Sequence, residues 1–179
     1  MKVTTVFNNM KTWPVLKLWV SPETPELKQM YEEHVQKHND HVLRDPNPNS
    51  GFDLIVVSDE LFVDKVKQGK LVNHQIKAAM YDDGESDDAQ PYYLYARSSI
   101  YKYPLILANS VGIIDSGYRG WLCSALRQIT SEPYTLNANT KLTQLCHRSL
   151  TPFLVELVDR EEDLGVTTRG HNGFGSTGI

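Results

Sequence analysis

Cysteine is scarce in this chain of 179 residues. Cys123 and Cys146 are its only copies, too few and too widely spaced for a disulfide framework or a CxxC zinc knuckle, so a reducing compartment is expected. A basic excess is also missing. The chain has 18 Lys+Arg against 22 Asp+Glu, a formal charge of −4, and no cationic stripe that could neutralise the phosphates of a duplex. That argues against a nucleic-acid partner but leaves room for a small phosphorylated ligand. Long apolar runs are lacking too: the longest, around Pro104 to Ile114, contains Asn109 and Ser110 and falls short of the roughly 20 residues needed to span a bilayer, so no membrane partner is expected. At the N-terminus, MKVTTVFNNMKTW has Asn8, Asn9 and Lys11 where a secretory signal would carry its apolar core, and a cytoplasmic protein is the expectation.

What remains is ordinary globular material, 40% hydrophobic and 22% charged, enough for a core in one domain. A strand is expected over 15–20. Pro22 and Pro25 then bracket a helix start, with Ser21 or Thr24 as the candidate cap, and the helix should run through ELKQMYEEHVQKHNDHV and end by Asp45. Leu27, Met30, Tyr31 and Val35 form its apolar stripe, while Lys28, Glu32 and Gln36 face outward. Strand signals dominate after the turn-rich RDPNPNS: FDLIVVS, then 78–81, 92–96, 104–108, 121–129, 141–147 and 153–158. Short strands so spaced, with one helix, predict an all-β sandwich or barrel such as a jelly roll. YDDGESDD is expected to be a solvated hairpin tip. The tail changes character again, with Gly170, Gly173, Gly175 and Gly178 packed into nine residues. The expected organisation is a β body over 1–166, with a helical insert at about 21–45, and a mobile Gly-rich arm over 167–179.

Four segments carry candidate chemistry. In the arm, Arg169 offers a bidentate clamp for phosphate, Phe174 an aromatic plate, and Ser176 and Thr177 hydroxyls, while N–H groups between glycines can wrap an anion. In ANSVGIIDSGYRG, Asp115 ends an apolar run before a Ser-Gly turn, where a carboxylate can deprotonate water. The alternative for Asp115 is a turn residue satisfying local backbone. YARSSI places Arg97 beside two hydroxyls, and SGFDL puts Asp53 at the head of a strand. His34, His38 and His41 also share one helix face, a spacing compatible with a transition metal, but without a second shell a packed or solvated face is expected, one that stabilises the fold rather than joining in catalysis.

In their order along the chain these segments resemble the motifs of the trimeric dUTPase family. SGFDL (50–54) resembles the first, ARSSI (96–100) the second, NSVGIIDSGYRG (109–120) the third, KLTQL (141–145) the fourth and RGHNGFGSTG (169–178) the fifth. The resemblance implies a jelly-roll subunit in a homotrimer with shared active sites. It also implies Mg2+-dependent cleavage of dUTP to dUMP and pyrophosphate, which keeps uracil out of DNA and supplies dUMP for dTMP synthesis. Carried over by motif, Asp115 would activate the attacking water. Asn109 with the backbone of Gly112 and Ile114 would read uracil, and the ring of Tyr118 would pack under deoxyribose and refuse a 2′-hydroxyl. Arg97, Ser98, Ser99 and Gln144 would hold phosphate oxygens, and Asp53 would orient magnesium-bound water. From the arm, Arg169 would meet the γ-phosphate, Phe174 would cover the base, and Gly175, Ser176 and Thr177 would complete the closure.

The chain departs from the family pattern at Trp121, at Asn73-His74, at the fourth motif, which lacks its usual preceding glycine, and in the helical insert. Two alternatives share the fold. A dCTP deaminase would carry a glutamate about ten residues after the third-motif aspartate, where this chain has Ala125 and Leu126. Against a non-catalytic regulatory member stands the presence of every catalytic group, and turnover alone decides between them.

Overall fold

The computed structural model describes residues 12–63, 69–84 and 88–171. Strand β1 (Val15–Val20) and helix α1 (Pro25–Arg44) come first. They are followed by β2 (Gly51–Leu54), β3 (Glu60–Phe62), β4 (Lys70–Asn73), β5 (Ile76–Tyr81), β6 (Ala89–Gln90), β7 (Tyr92–Ala96), β8 (Leu105–Leu107), β9 (Gly112–Ile114), β10 (Cys123–Gln128), β11 (Tyr134–Leu136), β12 (Thr143–His147) and β13 (Leu154–Leu157). The architecture is the expected all-β, jelly-roll-like one, with a single long helix among the described residues. β1 and β7 have the bounds read from the sequence, and the run beginning at Phe52 ends as a strand at Leu54. Beyond Leu54 the chain leaves the ladder and pairs irregularly, Val56 donating its N–H to the Thr140 carbonyl at 2.9 Å.

Two four-stranded sheets face the core. One has the order β13-β1-β5-β6 and the other β2-β12-β7-β9; a β4-β10-β8 sheet and a β3-β11 ribbon complete the body. Alternation along β2, β12 and β7 sends Phe52, Leu145 and Leu94 inward as one cross-strand row, each almost fully buried. Their neighbours Asp53, Gln144 and Tyr95 form the next row, on the opposite face. Hydrophobic burial and the positioning of polar groups are thus two outcomes of one register, because a one-residue slip would exchange the rows.

α1 is held to this body by its stripe. Leu27, Tyr31, Val35, His38 and Val42 are buried, extending the sequence-read stripe by His38 and Val42, with Met30 only partly buried, while Lys28, Glu32 and Gln36 are exposed as expected. Neither candidate hydroxyl caps the helix. Thr24 occupies the cap position, but its hydroxyl donates to Gln75 Oε1 at 2.7 Å, and Pro25 in the first turn removes one N–H that would otherwise need a partner. Further along, the Asn39 amide brackets Val155 like a strand partner: Nδ2 donates to its carbonyl at 2.8 Å and Oδ1 accepts its N–H at 2.9 Å. This covers the free edge of β13. The acidic hairpin joins β5 to β6 as expected, but its Asp82 is not merely solvated. It accepts from Arg148 at 2.7 Å and contacts His147 Nε2 at 3.0 Å, and the Arg148 bond holds its carboxyl below the usual range. Among the described residues no helix is long and apolar enough to cross a membrane.

Candidate active site

The outward row Asp53–Gln144–Tyr95 floors a cleft of about 720 Å3, with Arg97 and Ser98 at one end and α1 as a wall. Arg97 is fixed from three sides: its N–H donates to the Leu142 carbonyl at 2.8 Å, Nη1 to the Lys141 carbonyl at 2.8 Å, and Nε to Asp53 Oδ1 at 2.7 Å. Gln144 lies across β2 because Gly51 has no side chain; a Cβ there would overlap the Gln144 amide. Burial raises the Asp53 pKa, against the pull of Arg97 and Lys141. Ser98 lines the cleft and opens a short 3-10 turn (Ser98–Lys102), but Ser99 is in that turn and off the cleft wall.

The three helix histidines divide. His38 Nε2 contacts the Phe153 carbonyl at 2.9 Å, while His41 stands 3.5 Å from Asp45. His34 stacks on Phe52, with ring centroids 4.5 Å apart, and its Nε2 lies 3.0 Å from the Asp53 carbonyl. Lys141 Nζ approaches its Nδ1 at 3.3 Å. An ammonium only donates, so Nδ1 accepts and Nε2 carries the proton; the ring is neutral. Burial first, and then the Lys141 charge, pull its pKa down to about 4. This is a packed face, as expected, and among the described residues no group of three His, Cys, Asp or Glu converges as a metal site. It does not stand apart from the candidate chemistry, however: His34, Lys37, His38 and His41 all line the cleft.

A second pocket, about 180 Å3, is built by the third segment. Leu94, Ile114, Leu122 and Ala125 give it apolar walls, and Asn109, Asp115, Tyr118 and Arg169 stand at its polar side. Gly112 on β9 fits closely under Leu94, where a Cβ would come within 3.1 Å of the leucine Cβ. The turn after β9 closes through Tyr118 N–H donating to the Asp115 carbonyl at 3.0 Å. Gly120 lies so close beneath the Tyr118 ring that no Cβ fits, and the phenol donates to the Trp121 carbonyl at 2.9 Å. Burial raises the Tyr118 pKa, so the phenol stays protonated.

Successive residues of one strand serve the two cavities: Leu94 lines the pocket and Tyr95 the cleft. Within one chain Asp115 and Arg97 therefore line different cavities. Arg169 lies against the third segment of its own chain, whereas active sites shared between subunits would set the arm apart from it. Its Nη1 is 2.5 Å from Asp115 Oδ2, Arg119 N–H donates to the Gly170 carbonyl at 2.8 Å, and Gly170 adopts φ +55° to bridge Tyr118. Thr167 adds a further tie, its hydroxyl hydrogen-bonding to the Gly117 carbonyl and holding the start of the arm on the turn. Phe174, Gly175, Ser176 and Thr177 lie outside the described residues.

The sequence reading gave no role to several residues that shape both cavities. Buried Arg119 ties the turn to the body, Nε donating to the Leu164 carbonyl at 2.8 Å and Nη1 to those of Ser116 and Tyr118 at 2.8 Å. Its place inside YRG was the available signal. Trp121 packs at a tilt against Trp19, with centroids 5.7 Å apart, and the buried Lys77 ammonium lies 4.6 Å over it while pairing with Glu161 at 2.7 Å. Lys141 heads the fourth segment, but its approach to His34 depends on a helix distant in sequence.

The sequence model of the dUTPase family matches residues 38–178. A deoxyuridine 5′-triphosphate nucleotidohydrolase of Clostridium novyi is 32% identical over 132 residues, 73% of this chain and 85% of that one. The enzyme of the same name from Neisseria meningitidis serogroup A is 36% identical over 95 residues, 51% of this chain and 61% of that one, so the match spans less than two thirds of that relative. Among solved structures, a dUTPase from Streptococcus mutans superposes with a TM-score of 0.47 at 27% identity, covering 65% of this chain and 87% of that one. Over most of its length, and across both cavities, the chain belongs to the dUTPase family.

Proposed function

We propose that the chain hydrolyses dUTP to dUMP and pyrophosphate, limiting uracil in DNA and supplying dUMP for dTMP synthesis in the cytoplasm. The observation that carries this reading is the small pocket, whose apolar walls, single amide and half-exposed carboxylate suit a planar pyrimidine nucleoside beside a reacting phosphate. Asn109 and the backbone of Gly112 and Ile114 read the base, and Tyr118 packs against the deoxyribose. Asp115 takes a proton from the water attacking the α-phosphorus. Arg169 leaves Asp115 for the γ-phosphate when substrate arrives, exchanging one anion for another, and Phe174, Gly175, Ser176 and Thr177 close the arm over the base. Ala125 stands on the pocket wall where a deaminase would need its carboxylate, which supports hydrolysis over deamination.

The triphosphate belongs in the cleft. Arg97, Ser98, Ser99 and Gln144 provide its donors, Ser99 after a turn of the short 3-10 segment. A lone carboxylate, Asp53, suits Mg2+ held mainly by phosphate oxygens and water, and when bound the ion would neutralise charge on the leaving pyrophosphate. Because the two cavities of one chain share no lining residue among the described ones, a complete site on this reading needs the pocket of one copy against the cleft of another. A closed homotrimer provides that arrangement. Purified protein given dUTP, UTP, dCTP or dTTP with Mg2+ should release pyrophosphate from dUTP alone and ammonia from none. Ammonia from dCTP, or no turnover of dUTP, would overturn the reading. Solution mass should be three times 20.3 kDa.

A further inference from the structure

α1 is the part of the molecule that the family resemblance leaves unassigned; its residues 25–37 precede the segment the family model matches. Nevertheless it forms a wall of the cleft. In a chain of net charge −4, this cleft gathers cations: Arg97 and Lys37 line it, with Lys141 behind His34. Among the described residues the one carboxylate on its wall, Asp53, is already paired with Arg97 at 2.7 Å. Lys37 is exposed, and its partner on the helix, Glu33, is exposed and 4.0 Å away, a pair worth little in water. The charge of Lys37 also reaches Lys141, where with burial and Arg97 it lowers the ammonium pKa. Cations brought together without enough carboxylates repel one another, and an arriving anion relieves that repulsion.

We infer that Lys37 is a further substrate-binding residue, supplied by the helical insert to the pyrophosphate end of the bound nucleotide. The inference rests on the reading of the cleft as a triphosphate site. α1 is anchored well enough to present it: Tyr31, His38 and Asn39 fix the helix to Ile55, Phe153 and Val155, and Lys37 lies one residue before His38 with its side chain over the cleft. A flexible ammonium suits a charge that must meet phosphate oxygens as a point donor rather than as a fork. His34 serves as scaffold, its neutral ring spacing Lys141 from the Asp53 backbone.

The test is calorimetric titration with three probes: the non-hydrolysable α,β-imido analogue of dUTP, dUMP, and inorganic tripolyphosphate. Lys37→Ala should weaken the analogue and tripolyphosphate about tenfold, as expected for one charge-assisted contact, and leave dUMP unchanged. Lys37→Arg should stay within about threefold of wild type. Lys28→Ala, an outward charge change on the same helix, should leave all three unchanged. Equal affinities for Lys37→Ala and wild type would overturn the inference, as would an equal loss in Lys28→Ala. If wild type binds tripolyphosphate in a Lys37-dependent way but not the dUTP analogue, the phosphate site stands and the dUTP reading fails. Binding of neither probe to wild type contradicts both.

Discussion

The cleft and the pocket are built by different means. The cleft is floored by three paired strands, and its key side chains are fixed by bonds to backbone, so its shape follows from sheet register. The pocket depends on a three-residue strand, a glycine-permitted turn and the first residues of the arm, and its central carboxylate is held by an ion pair between half-exposed groups. Such a contact contributes little to stability and is easily exchanged. The cleft is therefore equipped to hold charge already present in the substrate, and the pocket to respond when substrate arrives.

Removing the responsive group should have the largest effect. Asp115→Asn keeps the shape but cannot accept a proton, and kcat for dUTP should fall by about 10²-fold or more while binding of the imido analogue persists. A variant with wild-type turnover would make Asp115 only a turn residue. Deleting 167–179 comes next. The segment adds little apolar surface, so the truncated protein should melt within a few degrees of wild type yet lose at least about tenfold in kcat/KM, because closure over the base is lost. Unfolding or full activity would contradict this.

How much of this was legible in the sequence follows the same division. Runs such as VLKLWV and YYLYA declare themselves because alternation and β-branched or aromatic content agree, and α1 declares itself by its stripe. β3, β4 and β11 do not: they are three or four residues long and partly exposed, and they exist because partners hold them. The motif residues could be named from their order, but not their division between two cavities; the cleft row comes from the pairing of Asp53 with Gln144 and of Gln144 with Tyr95. Nor could the helix be placed on the cleft, since nothing local to His34 or Lys37 specifies Asp53 and Lys141 as neighbours. The departure at Asn73-His74 also becomes intelligible only in space. Buried His74 joins the Ile55 carbonyl at 2.8 Å to Ser124 Oγ at 2.7 Å, and Ser124 contacts Thr143 at 2.8 Å.

A small steric change in the rigid cleft, one that leaves Arg97 in place, should cost less and be confined to binding. Gly51→Ala places a methyl where the Gln144 amide lies, so KM for dUTP should rise by about tenfold with kcat nearly unchanged, because the phosphate donors are displaced and the base is not. A fall in kcat at constant KM would mean that the cleft takes part in the chemical step.

The smallest effect at neutral pH concerns the body beneath both cavities. Complete burial pulls His74 from its ordinary 6.5 down to about 4. As pH falls the unfolded chain takes up this proton first, so the stability it represents is intact above about pH 6.5 and lost progressively toward pH 4, roughly 3 kcal/mol in all. Melting temperature should drop between pH 7 and 4.5, and His74→Gln should flatten that drop while lowering the value at pH 7. An unchanged slope would mean that other groups govern acid stability.

The division of one active site between two copies is tested most directly by mixing two inactive variants. Asp115→Asn retains the cleft and Arg97→Ala retains the pocket; each alone should be nearly inert. Unfolded together in equal amounts and refolded, they should recover about one quarter of wild-type activity, since random assortment pairs an intact pocket with an intact cleft at one site in four. No recovery, from mixed assemblies whose mass is that of the wild type, would show that Asp115 and Arg97 act within the same chain and would contradict the shared site.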